Sequence, residues 1–361
     1  MLRRFMSAAT IVLHIGLHKT GTSSIQETLH RNRDRLARRG LLYPSTLPAN
    51  HSNLFYNAFA AAPEAYHANR ARGLTREEIA ARTEHTLAAL REEVAASDCG
   101  TIVFSAEDAC TFDATAAGRA HALFSTLVPG ARVKILLYTR HPVDYIASAV
   151  QENVKGNGLT IERAKAIHMK AAPDRYQRIH GIYSGVFGTE TVQLRSFEAA
   201  REAPGGLMGD FLVALGVAAD GIVPVRRNDS IAGELVPFLS ELNAMTPPLT
   251  LSKADTDRLF ALKGSPADVL DAAEKARLWQ FVAGDIVFLS RRFGIRYARE
   301  DAAVSVSPER RVRFVEGVAA LLPGLSEPVR AALGDYLVRA GLVADGEAQP
   351  AATVSPSRSP L

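Results

Sequence analysis

The sequence predicts an α/β protein with a central, mostly parallel sheet flanked by helices and further helices toward the C-terminus. Three observations carry this. Short apolar, β-branched runs recur along the first half: TIVLHI (Thr10–Ile15), TIVFS (Thr101–Ser105), VKILLY (Val133–Tyr138) and TVQLR (Thr191–Arg195). Stretches with helical spacing separate them, and strand–helix alternation of this kind means parallel pairing through crossovers. The chain of 361 residues, 47% of them hydrophobic, is long enough to bury a sizeable core.

Each element has a local cause. Thr10–Ile15 is bounded by Gly16 and reads as a buried strand. From Thr22 to Arg39 the pattern is helical: Ile25, Leu29 and Leu36 fall on one face, Arg38 and Arg39 sit in the last turn, and Gly40 is a natural stop. Gly40–Asn57 reads as loop, with Pro44, Pro48 and Asn50 as breakers. A long helix follows over Thr75–Ala96, then the second strand, then a helix over Ala116–Leu127. The third strand leads through Thr139-Arg140-His141-Pro142 into a helix over Val143–Val154. Ala172–Phe187 reads as helical, and Gly188 precedes the fourth strand. Gly206–Gly294 reads as helical, as do Pro308–Leu322 and Pro328–Ala340. Asp345–Leu361, rich in Ala, Pro and Ser, reads as a disordered tail. The expected organisation is a main domain over 1–300, a helical appendage over 301–344 and the tail over 345–361.

Composition narrows the function. The net charge of +4, from 42 basic and 38 acidic residues, suits an anionic ligand but lacks the dense basic stripe of a nucleic-acid binder. Two cysteines, Cys99 and Cys110, make neither a disulfide framework nor a zinc-binding CxxC, and imply reduced thiols in the cytoplasm. Met1-Leu2-Arg3-Arg4 opens like a signal peptide, but the run behind it meets His14, Gly16 and Lys19 without a small-residue cleavage site. It reads as a lead into the first strand. No apolar run is long enough to span a membrane.

In parallel α/β sheets ligands gather at the carboxyl ends of the strands. The first such end is Gly16-Leu17-His18-Lys19-Thr20-Gly21-Thr22-Ser23-Ser24. Gly16 and Gly21 have the glycine spacing of the Walker phosphate loop, G-x-x-x-x-G-K-[ST], and Ser23 occupies its hydroxyl position. Thr22 stands where that loop has its lysine, and the lysine present, Lys19, comes three residues earlier. A strand-to-helix loop of this kind aims backbone N–H groups and a helix N-terminus at a phosphate. Thr20, Thr22, Ser23 and Ser24 are candidate hydroxyl donors, and Lys19 a mobile charge for a leaving oxygen. The alternative is a glycine turn with no ligand.

The run His18-Lys19-Thr20-Gly21-Thr22-Ser23-Ser24 resembles the 5′-phosphosulfate loop of the sulfotransferases, in which K-[ST]-G-T-[ST] follows the first strand. In that family an arginine ends a later strand and a serine follows eight residues on; here Arg140 ends the third strand and Ser148 lies eight residues further. A guanidinium grips a phosphate bidentately and a hydroxyl completes the shell. The resemblance covers roughly Thr10–Gly216 and is closest to bacterial members with an HKTGT-type loop. It implies a P-loop-like three-layer fold and the donor 3′-phosphoadenosine 5′-phosphosulfate (PAPS), leaving adenosine 3′,5′-bisphosphate as product, with no metal. It implies donor-binding roles for Lys19, Thr20, Gly21, Thr22, Ser23, Ser24, Arg140 and Ser148. A third contact to the 3′-phosphate has Arg226 and Arg227 as candidates.

Sulfuryl transfer to a hydroxyl or amine also needs a base. Two residues compete for that role. His51, in Pro48-Ala49-Asn50-His51-Ser52-Asn53, has the chemistry for proton abstraction near neutral pH. Glu107 follows the second strand and would need a raised pKa or a tightly held acceptor. The resemblance points to a carbohydrate, lipid-linked or other small acceptor. Two other readings stand beside it: a P-loop kinase or NTPase using ATP and Mg²⁺, with Ser105-Ala106-Glu107-Asp108 as a Walker B-like end, and a binding module that has lost turnover.

Overall fold

The computed structural model describes residues 9–225, 230–299 and 308–343. Arg226, Arg227 and the expected tail lie outside the described residues. Five parallel strands form one sheet in the order β2-β3-β1-β4-β5. They are β1 (Thr10–His14), β2 (Leu41–Leu42), β3 (Thr101–Ser105), β4 (Arg132–Thr139) and β5 (Val192–Ser196). β1 lies in the middle, in register with β3 from Thr10↔Thr101 to His14↔Ser105, and with β4 from Thr10↔Arg132 to His14↔Leu136.

The helices of the first half are α1 (Thr22–Arg31), α2 (Arg33–Ala37), α3 (Ser52–Phe59), α4 (His67–Arg72), α5 (Arg76–Ala96), α6 (Ala114–Leu127), α7 (Pro142–Gly156), α8 (Ile161–Lys170) and α9 (Arg175–Phe187). They are followed by α10 (Phe197–Glu202), α11 (Gly206–Leu215), α12 (Leu235–Ala244), α13 (Lys253–Ala261), α14 (Ala272–Phe281), α15 (Ala283–Phe293), α16 (Pro308–Leu321) and α17 (Glu327–Arg339).

Side chains alternate across the pleat, so each strand feeds two layers. On one face Val12, Val103 and Leu136 meet Ile25 and Leu29 of α1 and Phe211 and Leu212 of α11. On the other face Phe104 stacks on Phe124 of α6 at 5.6 Å and packs against Phe55 of α3 at 5.5 Å. The result is the three-layer arrangement, helices on both sides of a parallel sheet, with the β1–α1 loop at its centre.

Two local readings differ from the sequence. The helix expected over Thr22–Arg39 breaks at Asn32, which is buried. Its amide Nδ2 donates to the carbonyls of Thr28 and Val223, and its Oδ1 accepts from the Val223 amide. Docking of a distant segment thus turns the chain. The segment expected as loop over Gly40–Asn57 contains β2 and the start of α3; β2 has two residues and pairs with β3 at Leu41↔Thr101 and Leu42↔Ile102.

The chain divides into two compact units that interleave in sequence. One comprises Met1–Pro142, Ala172–Asn228 and Gln280–Ala298; it contains the whole sheet. The other comprises Val143–Ala171, Asp229–Trp279 and Arg299–Leu361, and its described secondary structure is helical. Within the second unit, Asn243 of α12 donates to the carbonyls of Val154 and Leu159, and buried Asp255 of α13 accepts from the Ser326 amide ahead of α17. Both cysteines are free thiols.

Candidate functional site

The loop after β1 is tightly wound. Gly16 has φ +50° and Gly21 has φ +76°, a region that favours glycine. A Cβ on Gly16 would stand 2.6 Å from Thr22 Cγ2 and 3.1 Å from Glu107 Cα, so a side chain has no room there. Lys19 also adopts the left-handed region, φ +68°, although it has a side chain. That conformation costs about 1 kcal/mol or more outside glycine and persists only where neighbours enforce it. Thr20 is one of those neighbours: fully buried, it donates its hydroxyl proton to the Leu17 carbonyl at 2.6 Å, and its amide donates to the same oxygen at 3.2 Å. Gly21 then caps α1, its carbonyl accepting from the Ser24 and Ile25 amides at 3.0 and 3.1 Å, while the Thr22 and Ser23 amides lie at the open end of the helix.

The four loop hydroxyls therefore divide. Thr20 serves the turn itself. Thr22 Oγ1 donates to Glu107 Oε2 at 2.7 Å, so its proton is directed at the end of β3. Ser23 and Ser24 are half-buried at the start of α1.

The end of β3 is laced to the segment before α3. The His51 amide donates to the Ser105 carbonyl at 2.9 Å, and His51 Nδ1 accepts from the Ser105 amide at 3.2 Å. His51 has 0% exposure and its ring stacks on Tyr43 at 4.5 Å. Burial, reinforced by the charges of His30 and Arg33, pushes its pKa down to about 3. The imidazole is thus neutral and faces the protein interior. His14 behaves alike: it is fully buried, its Nδ1 lies 2.9 Å from Ser105 Oγ, and burial lowers its pKa to about 3.

Glu107 stands differently. It is half-buried, and its second oxygen, Oε1, accepts from Asn50 Nδ2 at 3.1 Å. Next to it, Asp108 Oδ1 lies 3.0 Å from His18 Nε2 and Asp108 Oδ2 accepts from the Tyr66 hydroxyl at 2.8 Å. Burial favours a neutral His18, but the hydrogen bond to Asp108 and the Cys110 and Glu107 groups outweigh it, and its pKa is pushed up to about 11. Burial would raise the Asp108 carboxyl, yet the His18 and Tyr66 hydrogen bonds bring it below its ordinary value. A cationic imidazole therefore flanks Lys19.

Arg140 ends β4. Its backbone is held by Tyr176, whose hydroxyl accepts from the Arg140 amide at 3.0 Å and donates to its carbonyl at 3.1 Å. Its Nη1 donates to the Lys19 carbonyl at 2.5 Å, and the guanidinium lies 5.3 Å from the Phe197 ring centroid. The ends of β1, β3 and β4 thus bring Lys19, Thr22, Glu107 and Arg140 together. Ser148 lies half-buried on α7, in the second unit. Arg195, at the fourth strand end, is engaged with Asp210 through Nε at 2.7 Å and Nη2 at 2.5 Å.

Sequence reasoning passed over Asn50 except as a loop breaker, and did not connect His18 with Asp108 and Tyr66. The nearest signal was the polar run Asn50-His51-Ser52-Asn53. A cavity of about 670 Å³ lies elsewhere, lined by residues of β5 with Arg291, Arg292 and Phe293, and no loop residue borders it. Among the described residues no cluster of three or more His, Cys, Asp or Glu could hold a metal ion, and no helix is long and apolar enough to cross a membrane.

Fold and loop together define a P-loop-like α/β protein. The chain is similar to a solved sulfotransferase from Alicyclobacillus acidocaldarius, with 18% identity, 81% of this chain and 98% of that one covered, and a TM-score of 0.45. It is also similar to the sulfotransferase domain of the curacin biosynthetic pathway (13% identity, 70% and 96% covered, TM-score 0.34). A third likeness is to the sulfotransferase domain of the Synechococcus PCC 7002 olefin synthase (12% identity, 70% and 93% covered, TM-score 0.33). No protein-family model and no curated protein matches the chain. Likenesses this distant carry no functional weight.

Proposed function

We propose that the chain is a sulfotransferase that takes PAPS as donor and a hydroxyl or amine as acceptor, with a carbohydrate or lipid-linked acceptor as the favoured class. The observation that carries this reading is the loop. Its cation, Lys19, precedes the Walker lysine position by three residues, and Arg140 reaches the same residue from the neighbouring strand.

Gly16 and Gly21 supply two left-handed backbone positions, φ +50° and +76°, which suit a tight turn around a phosphate-sized anion. The donor, when bound, supplies an electrophilic sulfur and a phosphate leaving group. In our reading the amides of Gly21, Thr22 and Ser23 hold the 5′ end, aided by the Ser23 and Ser24 hydroxyls, while the Thr20 and Ser24 amides serve the turn by donating to the Leu17 and Gly21 carbonyls. Lys19 neutralises charge on the departing bridging oxygen. Arg140 takes the 3′-phosphate. Glu107 removes the acceptor proton as the new S–O or S–N bond forms and the bridging S–O bond breaks. We assign the base to Glu107 because it is half-buried beside the loop, whereas His51 is fully enclosed and its Nδ1 accepts a backbone hydrogen bond.

Thermal stability with two ligands tests this. Adenosine 3′,5′-bisphosphate without metal is expected to raise Tm, and sulfur-labelled PAPS to label a hydroxyl acceptor from a carbohydrate and lipid panel. Stabilisation by ATP–Mg²⁺ alone would sink the proposal in favour of a nucleoside-triphosphate enzyme. Binding of the bisphosphate with every acceptor class left unlabelled would make the chain a binding module.

A further inference from the structure

Glu107 is gripped from two sides. Thr22 Oγ1 donates to Oε2 and Asn50 Nδ2 to Oε1, at 2.7 and 3.1 Å. The donors come from different places, the first turn of α1 and the segment before α3. Asn50 is itself fixed, since its Oδ1 accepts from the Ser52 amide at 2.9 Å. The rest of its segment is tied to β3 by the two His51–Ser105 bonds and by the Asp108 amide, which donates to Ser52 Oγ at 3.2 Å.

The chemistry of Thr22 makes this arrangement exclusive. A hydroxyl carries one proton. A phosphosulfate at neutral pH offers only acceptor oxygens, so a Thr22 that donates to Glu107 has no proton for the donor molecule. Nor does the side chain turn easily. Thr22 is buried and β-branched, and its Cγ2 lies 2.6 Å from the position a Cβ of Gly16 would take, so the methyl packs where Gly16 makes room for it.

We propose that Asn50 and Thr22 are positioning residues for Glu107, and that the Thr22 hydroxyl serves this role instead of binding the donor's phosphate. This rests on the sulfuryl-transfer reading with Glu107 as base. Two fixed donors leave a carboxylate with about half of its four lone-pair sites open, facing an acceptor hydroxyl. They also tie the base to the first turn of the helix that faces the donor, so the two reacting partners share one rigid frame.

The test uses Thr22→Val, Thr22→Ser and Asn50→Ala in the full chain, with affinity for adenosine 3′,5′-bisphosphate by calorimetry and with kcat and KM from steady-state sulfate transfer. Thr22→Val and Asn50→Ala are expected to bind the bisphosphate within about threefold of wild type and to lose about tenfold to a hundredfold in both kcat and kcat/KM. Thr22→Ser restores both. Binding within threefold shows that a variant has folded. A loss of affinity in Thr22→Val above about tenfold, at the level of a lost charged hydrogen bond, with Thr22→Ser normal, would instead make the hydroxyl a donor ligand. A kcat within about threefold of wild type in both variants overturns the positioning role. A wild-type chain that neither binds the bisphosphate nor transfers sulfate removes the enzymatic reading itself, and this inference with it.

Discussion

The guanidinium of Arg140 donates to the backbone carbonyl of Lys19 at 2.5 Å, joining the end of β4 to the left-handed turn of the loop after β1. One side chain thus has two uses, holding a strained backbone and presenting positive charge. Arg140→Ala is expected to weaken binding of adenosine 3′,5′-bisphosphate by about 10- to 150-fold, the loss of a charge-assisted hydrogen bond worth roughly 1.5–3 kcal/mol. Arg140→Lys keeps the charge but not the planar fork, and should recover only part of it. Calorimetric titration reads both; a loss below about threefold in Arg140→Ala contradicts the assignment.

The strain at Lys19 can be separated from its chemistry. Lys19→Ala and Lys19→Gly both remove the ammonium, but only glycine accepts φ +68° without cost. In urea unfolding, Lys19→Gly should be more stable than Lys19→Ala by up to about 1 kcal/mol. Both should lose turnover far more than bisphosphate affinity, since in the proposed reaction the charge acts on the leaving oxygen. Equal stability of the two variants would show that the turn is not strained.

Gly16 and Gly21 differ in what surrounds them. A Cβ at Gly16 meets Thr22 at 2.6 Å and the Glu107 backbone at 3.1 Å, whereas at Gly21 it meets the end of Leu207, a flexible side chain, at 2.3 Å. Gly16→Ala is therefore expected to be the more damaging, by about 1–3 kcal/mol in chemical denaturation, and Gly21→Ala the milder. The reverse order would mean that Leu207 cannot move.

What the sequence disclosed depended on range. Buried parallel strands are continuous apolar runs, so β1, β3, β4 and β5 were legible, while β2, two leucines long, was not. The helix break at Asn32 arises from bonds to Val223, far along the chain, and no local pattern announces it. In the site, the strand-end rule picked out Lys19, Glu107 and Arg140, which the fold brings together. It could not show which way hydroxyls turn. The partner of Thr22 is 85 residues away and that of Asn50 is 57, and those distances fix the carboxylate. Likewise, the polar run around His51 does not reveal that its ring stacks on Tyr43 and that the Ser105 amide of β3 donates to its Nδ1.

The His18–Asp108 pair gives one pH dependence. His18 has its pKa raised from 6.5 to about 11, so its stabilisation is fully present below 6.5 and fades as pH rises toward 11. Asp108 is lowered from 3.8, so its share is present above 3.8 and fades as pH falls through its lower folded value. The difference in unfolding free energy between wild type and His18→Gln should therefore be largest near pH 5–6 and shrink toward pH 10. The imidazole is partly exposed, at 42%, so added salt should reduce it as well. A difference constant from pH 5 to 10 would show that His18 acts through packing alone.

His14 and His51 give the opposite dependence. Each has its pKa lowered by burial from 6.5 to about 3, so the unfolded chain takes up protons below pH 6.5 that the folded chain refuses. Their contribution is fully present above 6.5 and is lost as pH falls toward 3. The slope is bounded by about 1.4 kcal/mol per pH unit for each histidine. His18 adds no slope well below pH 6.5, because it is then protonated in both states. Between pH 6 and 4 the stability of the wild type should fall steeply. His14→Gln and His51→Gln should each flatten that fall by up to one proton's worth, even where they lower stability at pH 7 by leaving Ser105 with poorer partners. Urea unfolding of the three proteins at half-unit steps of pH measures this. If the slopes are the same in all three, His14 and His51 are charged in the folded protein, and acid lability comes from other groups.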